Sequence, residues 1–573
     1  MSLISRTLQT VLGATENAIS TRSLGAPYRK AVHPQQVAPP LKSAPDLQHE
    51  VSVLEGGRVE MEKDVAITMR DGVRLYADVY RPISSIAAKT PTIIFFAPFG
   101  KHGAVPREKF QNMGVDFGKL SKYAFWELPD ALRWCGDFEY SFLMVDPRGT
   151  WWSEGGEANY FSPEEGRDGY DIVEWTAKQN WCTGAVGWGA VSYYAMSIYQ
   201  TAVLKPPHLK AIMAWEGISD IYREVNMPGG IPNVAFQQLW MDMTGNGLGL
   251  AEDHAVGSLE HPLYDSWWQS KVCDWSKIDI PALSVTGWSS LGLHLRGTIE
   301  AWKAFSSPQK FLLIHAGREW SEFYKEHNIQ KQEQFFDRFL KNQANEVDSW
   351  PVVQYAARTT VDDHVVKTIP SFPPEATYLE LYLSANKGQL HTSAADATAS
   401  ANFVAQDHDS ILQFDHRFDT TTEITGHSSV KLFVQAMRFP DVDLYVALQK
   451  MGKDGKEVKF YHSTQQIEAS ASFGWLRVSH RELDPNKSRP ERPYHAHQRR
   501  LWLRPADIVE CDVEIWPSST IWEAGETLRL SIKGNSFTDE RHPTQCKGPS
   551  HGYGEVKSGR NEDEIGPRIF CCT

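Results

Sequence analysis

Two short segments restrict this chain more than any other feature. Pro91-Thr-Ile-Ile-Phe-Phe96 and Tyr140-Ser-Phe-Leu-Met-Val145 are unbroken apolar runs of strand length. A strand with one wet face alternates polar and apolar residues, so a continuous run implies a strand covered on both faces, as in a parallel sheet. Helical patterns fall between further strand candidates. Glu165 to Gln179 and Ser192 to Leu204 read as helices around a strand at Ala185 to Trp188. Strands at Leu209 to Ala214, Ala282 to Thr286 and Phe311 to His315 follow, with a helix at Leu295 to Phe305. This alternation predicts an α/β layer architecture. Ahead of it, Asp71-Gly72 between two alternating runs (Val65 to Tyr80) predicts a hairpin.

The pattern changes twice along the chain. Gly- and Pro-rich segments among aromatic helices at about 217–276 predict an insertion that caps the sheet. From about Trp350 onward only short strands and turns are legible, such as 430–436, 443–448 and 527–532, which suggests a β-sandwich or jelly roll. The expected division is an N-terminal arm (1–57), an α/β domain with its cap insertion (58–345) and a jelly-roll domain (346–573). With 573 residues the chain is long enough for two or more cores.

Composition narrows the partners. There are 58 basic and 71 acidic residues, a formal charge of −13, which opposes attraction to nucleic acid or anionic lipid. No apolar run reaches the roughly 18 residues of a membrane span. Seven cysteines without a metal-like Cys-x-x-Cys pair fit a reducing compartment, so a cytoplasmic location is expected. The Arg-containing, acid-poor first fifty residues leave a mitochondrial presequence as the alternative. No metal motif or phosphate loop is present, and no cofactor is expected. Aromatic residues at 12% suggest large packed sheets or an aromatic-lined apolar pocket, with core packing accounting for most of them. The sequence leaves a homodimer open.

The chemistry centres on Val186-Gly-Trp-Gly-Ala-Val-Ser192-Tyr-Tyr-Ala195, which reads strand, sharp turn, helix, with a serine at the apex. Small flanking residues let strand and helix approach closely, as in a nucleophile elbow. A helix N-cap serine is the plainer reading of the same residue.

The run Asp71-Gly-Val-Arg-Leu-Tyr-Ala-Asp-Val-Tyr-Arg-Pro82, Asp146-Pro-Arg-Gly149 with Ser153-Glu-Gly155, Gly166-Arg-Asp-Gly-Tyr-Asp171, Trp181-Cys182, Ser192-Tyr193 and Pro206-Pro-His-Leu-Lys-Ala-Ile212 resembles the CocE/NonD hydrolases of the X-Pro dipeptidyl-peptidase (S15) class. The resemblance extends from about 60 to about 535. It implies an α/β-hydrolase core, a helical cap, a C-terminal jelly roll and Ser-His-Asp esterase, amidase or acyl-transfer chemistry. Carried over, Ser192 matches the nucleophile and the Tyr193 backbone N–H one oxyanion donor. Three departures stand against this. The family's oxyanion tyrosine falls on Phe99, its triad acid on Ser290, and no His follows Trp320-Ser321.

Substitutes are at hand. Glu216, at a strand end, is a candidate acid, with an Arg223 ion pair as its structural alternative. His294 and His315 are the two candidate bases, and Lys101 or His102 could replace the missing oxyanion donor. Phe99, Trp288, Glu319 and Trp320 are expected to line the substrate site, with Phe99 packing on Trp288 or Trp320. Asp146 and Arg148 read as braces. The expected activity is hydrolysis or transfer of a small apolar ester, lactone or amide through Ser192. The alternative is a hydrolase fold repurposed for elimination, cyclisation or isomerisation. A non-catalytic binding protein is the third reading.

Overall fold

The structure, a computed structural model, describes residues 49–101, 113–375, 377–394, 399–437, 439–462 and 468–537, with short segments at 20–21, 27–31, 553–558 and 568–572. His102, one of the two substitute donors, lies outside the described residues.

Eight strands form the central sheet: β1 (Val59–Thr68), β2 (Arg74–Pro82), β3 (Thr90–Phe96), β4 (Ser141–Val145), β5 (Cys182–Val191), β6 (Leu209–Trp215), β7 (Ala282–Gly287) and β8 (Lys310–His315). The spatial order is β1-β2-β4-β3-β5-β6-β7-β8. β1 and β2 pair antiparallel, β2 is antiparallel to β4, and every later pair is parallel. Every residue of β3 and β4 is buried, which is why their sequences carry no alternation. One face packs a core containing Ile93, Phe95, Phe142 and Met213, and the other a core containing Ile94, Phe96, Leu143 and Ile212. The period-2 pleat sends neighbouring residues of one strand to opposite cores.

The helix α1 (Pro163–Ala177) begins at a Ser162 cap whose side chain accepts from the Glu165 N–H. The helix α2 (Tyr193–Ala202) follows β5 directly. All ten of its residues are buried, so it has no face in solvent. It packs beside α1, where Gly169 faces Thr201 too closely for a side chain of its own.

Between β6 and β7 the chain forms a π-helical turn at Tyr222–Asn226, the helix α3 (Val234–Thr244), a short strand Leu250–Glu252 and two short helices, His254–Glu260 and Ser266–Gln269. That strand pairs with Pro27–Lys30 on one side and Glu157–Ala158 on the other. Arg29 adds an ion pair to Asp253 at 2.8 Å. The N-terminal segment is thus stitched to this insertion.

Beyond β8, Val353–Arg358 still adds to the central sheet in parallel. Later strands build an antiparallel layer structure. Thr422–Ala436 pairs with Ile508–Trp522 across a bulge, and Asp443–Met451 lies between Ser472–Arg477 and Thr527–Lys533. Leu432, Val434, Leu444, Val513 and Leu530 fill their own core. The chain therefore joins an α/β-hydrolase sheet to a C-terminal β-rich unit. Among the described residues no helix is long and apolar enough to cross a membrane.

Candidate active site

β5 ends in the turn that carries Ser192. A Cβ on Gly189 would stand 2.5 Å from the Met213 carbonyl oxygen, so the strand must be narrow here. Ser192 has φ 60° and ψ −121°, in the left-handed region that costs a non-glycine residue energy, and its side chain makes no capping hydrogen bond. The serine is therefore not a helix cap. Its N–H donates to the Trp215 carbonyl at 3.0 Å, which fixes the apex against the end of β6. The residue is half-buried, whereas both neighbours are fully buried.

The Glu127 carboxyl lies near enough to Ser192 for the hydroxyl to favour its charged form, while its Oε2 has no hydrogen-bond partner. Glu127 is itself in the left-handed region at φ 60°. Burial pushes its carboxyl up to about 8, against the opposing effect of the Trp320, Trp126 and Ser192 groups that favour its charge. The Trp320 indole N–H donates to Glu127 Oε1 at 2.9 Å. Sequence reasoning missed Glu127. The only signal was one acid inside the apolar stretch Ala124-Phe-Trp-Glu-Leu-Pro129.

Two further glutamates stand close by. Burial, and then the neighbouring Glu216 and Glu127, hold the Glu319 carboxyl well above the carboxylate range. Glu319 Oε2 accepts from the Ser290 hydroxyl at 3.1 Å, and its Oε1 lies 3.3 Å from His294 Nε2. The residue at the family's acid position thus meets a carboxyl where the family has an imidazole. Glu216, at φ 57°, accepts from the Gly287 N–H and the Thr286 hydroxyl, each at 2.7 Å, and its Oε1 is 3.5 Å from His315 Nε2. It does not pair with Arg223, which turns instead to Asp220 and the His495 carbonyl.

Neither candidate base is hydrogen-bonded to Ser192. All four ring nitrogens of His294 and His315 lack a hydrogen-bond partner, so neither is bonded to the serine hydroxyl. Burial pushes the His294 ring down to about 3, so it is neutral at physiological pH. His294 faces Glu319 and His315 faces Glu216.

The walls are aromatic. Phe99 packs on Trp126, Tyr193 and Tyr194, with centroids 6.4, 6.3 and 5.8 Å away, and Trp126 meets Trp320 at 6.2 Å. The Tyr193 phenol donates to Glu165 Oε1 at 2.8 Å. Trp288 is not part of this wall. Its indole N–H donates to the Ala356 carbonyl at 2.6 Å, and it packs with Phe372 in the core shared with the β-rich unit. Lys101 is no free oxyanion donor. Its ammonium lies 2.6, 3.7 and 3.6 Å from Asp64, Asp78 and Asp146. Burial opposes its charge, but the three carboxylates outweigh that and raise it. Asp146 also accepts from the Lys101 N–H, and Arg148 joins Asp168 to Asp71, so both brace the strand ends. Among the described residues no cluster suited to a metal ion occurs.

Comparison with known proteins agrees with this layout. The model of the X-Pro dipeptidyl-peptidase (S15 family) matches residues 71–255, and that of the X-Pro dipeptidyl-peptidase C-terminal non-catalytic domain matches 345–551. A CocE/NonD family hydrolase from Staphylococcus aureus superimposes with a TM-score of 0.85 at 32% identity, covering 91% of this chain and 96% of that one. The cocaine esterase of a Rhodococcus species is 30% identical over 193 residues, which is 34% of this chain and 30% of its own length. An α-amino acid ester hydrolase shares the fold, with a TM-score of 0.70 at 15% identity, covering 93% of this chain and 100% of that one.

Proposed function

Because the chain belongs to the CocE/NonD family of hydrolases, we propose that it hydrolyses or transfers the acyl group of a small, largely apolar ester, lactone or amide, with Ser192 as nucleophile and Glu127 as its base. The observation that carries this reading is the placement of a strained, half-buried serine hydroxyl beside a carboxyl tuned to about 8. A general base works best when its pKa lies near the working pH, and Glu127 meets that condition.

In the first step Ser192 Oγ attacks the substrate carbonyl carbon while its proton passes to Glu127. The Tyr193 backbone N–H faces the developing oxyanion, and Glu127 then returns the proton to the leaving alcohol or amine. Water, or an acceptor alcohol, repeats the cycle on the acyl-serine. The contact between Ser192 and Glu127 closes to a full hydrogen bond in the substrate complex, as is common for catalytic pairs seen without ligand. Phe99, Trp126 and Trp320 offer apolar walls but no fixed cation, which suits a neutral acyl group. The reducing cytoplasm is the matching location, since Cys135, Cys182, Cys273 and Cys511 are free thiols.

A fluorophosphonate probe tests the nucleophile. It should attach to Ser192, and both Ser192→Ala and Glu127→Gln should abolish labelling, while His294→Ala and His315→Ala should not. Labelling that persists in Glu127→Gln would overturn the role of that carboxyl.

The second reading, a non-hydrolytic elimination, cyclisation or isomerisation, is favoured by the lack of a hydrogen bond from His294 or His315 to Ser192 and by two carboxyls, Glu127 and Glu319, that burial pushes up. Reaction in ¹⁸O-labelled water separates the two. Label in a product carboxylate means hydrolysis, and an unlabelled isomer or elimination product means that Ser192 only positions the substrate.

A further inference from the structure

Four polar side chains of the insertion between β6 and β7 are buried together: Asn226, Asn233 and His254 with no exposure and Gln237 with 1%. Their proximity follows from the backbone. The Asn233 N–H donates to the Asn226 carbonyl at 2.8 Å, and Gln237 lies one turn along α3 from Asn233. Asn226 Nδ2 donates to the His254 carbonyl at 3.3 Å and to the Ser258 hydroxyl at 3.0 Å.

Burial of such groups without partners is costly, and native proteins tolerate few of them. Yet Asn226 Oδ1, both amide atoms of Asn233, Gln237 Nε2 and His254 Nδ1 have no hydrogen-bond partner. The tautomer of His254 follows from its other nitrogen. Nε2 lies 3.3 Å from Glu252 Oε2, a carboxylate that Lys271 also grips at 2.7 Å, so Nε2 carries the proton and Nδ1 is a bare acceptor. The five atoms therefore comprise two amide donors and three acceptors, with no net charge.

The cluster packs on aromatic rings beside the elbow helix. His254 meets Phe161 at 5.8 Å, Phe161 meets Tyr193 at 4.7 Å, and Tyr193 follows Ser192. Trp240, on the same helix as Asn233 and Gln237, stacks on Tyr193 at 6.0 Å. We infer that Asn226, Asn233, Gln237 and His254 form a specificity subsite that reads a neutral group able both to donate and to accept hydrogen bonds, a carboxamide or a vicinal diol, at one end of the substrate. This rests on the hydrolase reading for its setting but makes a separate demand on the substrate. An apolar analogue would strand the buried amides, and sites built this way discriminate strongly against such analogues.

Butyrate esters that differ only in the alcohol provide the test. Glycolamide butyrate is compared with isobutyl butyrate, and glyceryl monobutyrate with butyl butyrate. The expected result is a preference of at least about tenfold in kcat/KM for one polar member over its alkyl partner, falling towards unity in Asn233→Leu and in the near-isosteric Gln237→Met. The two pairs distinguish carboxamide from diol. No preference in the native protein, or a preference unchanged in both variants, would overturn the subsite, the amides then holding only structural water. If no ester is turned over, the hydrolase reading fails by itself, and the subsite is judged by thermal unfolding with N-(2-amino-2-oxoethyl)butanamide against N-isobutylbutanamide. A saturable upward shift with the first alone supports it, and no shift with either overturns it.

Discussion

The indole of Trp320 donates its N–H to Oε1 of Glu127 across 193 residues of chain, and so ties the short helix Glu319–Phe323 to the loop that carries Glu127. The bond favours the charged carboxylate, whereas burial favours the neutral acid. The balance leaves a group of which about a tenth is ionised at pH 7.

Activity is therefore expected to rise with pH through about 8, as Glu127 loses its proton. Glu127→Gln should remove both the activity and this limb of the profile, as read from the pH dependence of kcat/KM.

Stability should move the opposite way. Glu127 holds its proton in the folded chain up to about 8 but releases it near 4.5 when unfolded. Between those values the folded state binds more protons, so raising the pH favours unfolding by at most about 1.4 kcal/mol per pH unit from this group. Denaturant midpoints measured between pH 5 and 8 should show a shallower decline in Glu127→Gln than in the native chain.

Trp320→Phe keeps the aromatic wall and removes the donor. Without it the carboxylate is less favoured, the pH profile moves upward, and the rate at pH 7 falls by roughly three- to tenfold. An unchanged profile would show that the indole acts by packing alone.

Lys101→Met should be a stability mutant. It would leave Asp64, Asp78 and Asp146 facing one another around a buried site without their cation, at a cost of about 3–5 kcal/mol by urea unfolding.

We also propose that the chain divides near residue 345. Limited trypsin digestion is expected to cut at Lys341, beside the exposed segment 342–344. The two fragments should stay together, because Arg296 grips Glu514 at 2.9 Å and Val353–Arg358 remains paired with β8. Cleavage concentrated within 90–215 would overturn that division.

The sheet was legible because burial on two faces writes itself into continuous apolar runs, and Thr90–Phe96 and Ser141–Val145 are such runs. The elbow was legible because close approach at Gly189 demands small residues. The partner of Ser192 was not. Glu127 comes from a loop far from every family motif, and only the folded chain brings it to the serine. Trp288 misled for the converse reason. It follows directly on β7, yet its indole turns into the junction with the β-rich unit and bonds the Ala356 carbonyl. Lys101 misled because sequence shows a cation but not the three acids that enclose it.

The strand Leu250–Glu252 is held on both edges, by Pro27–Lys30 and by Glu157–Ala158. A flap that swung free of the sheet would have to unzip main-chain pairs on each side.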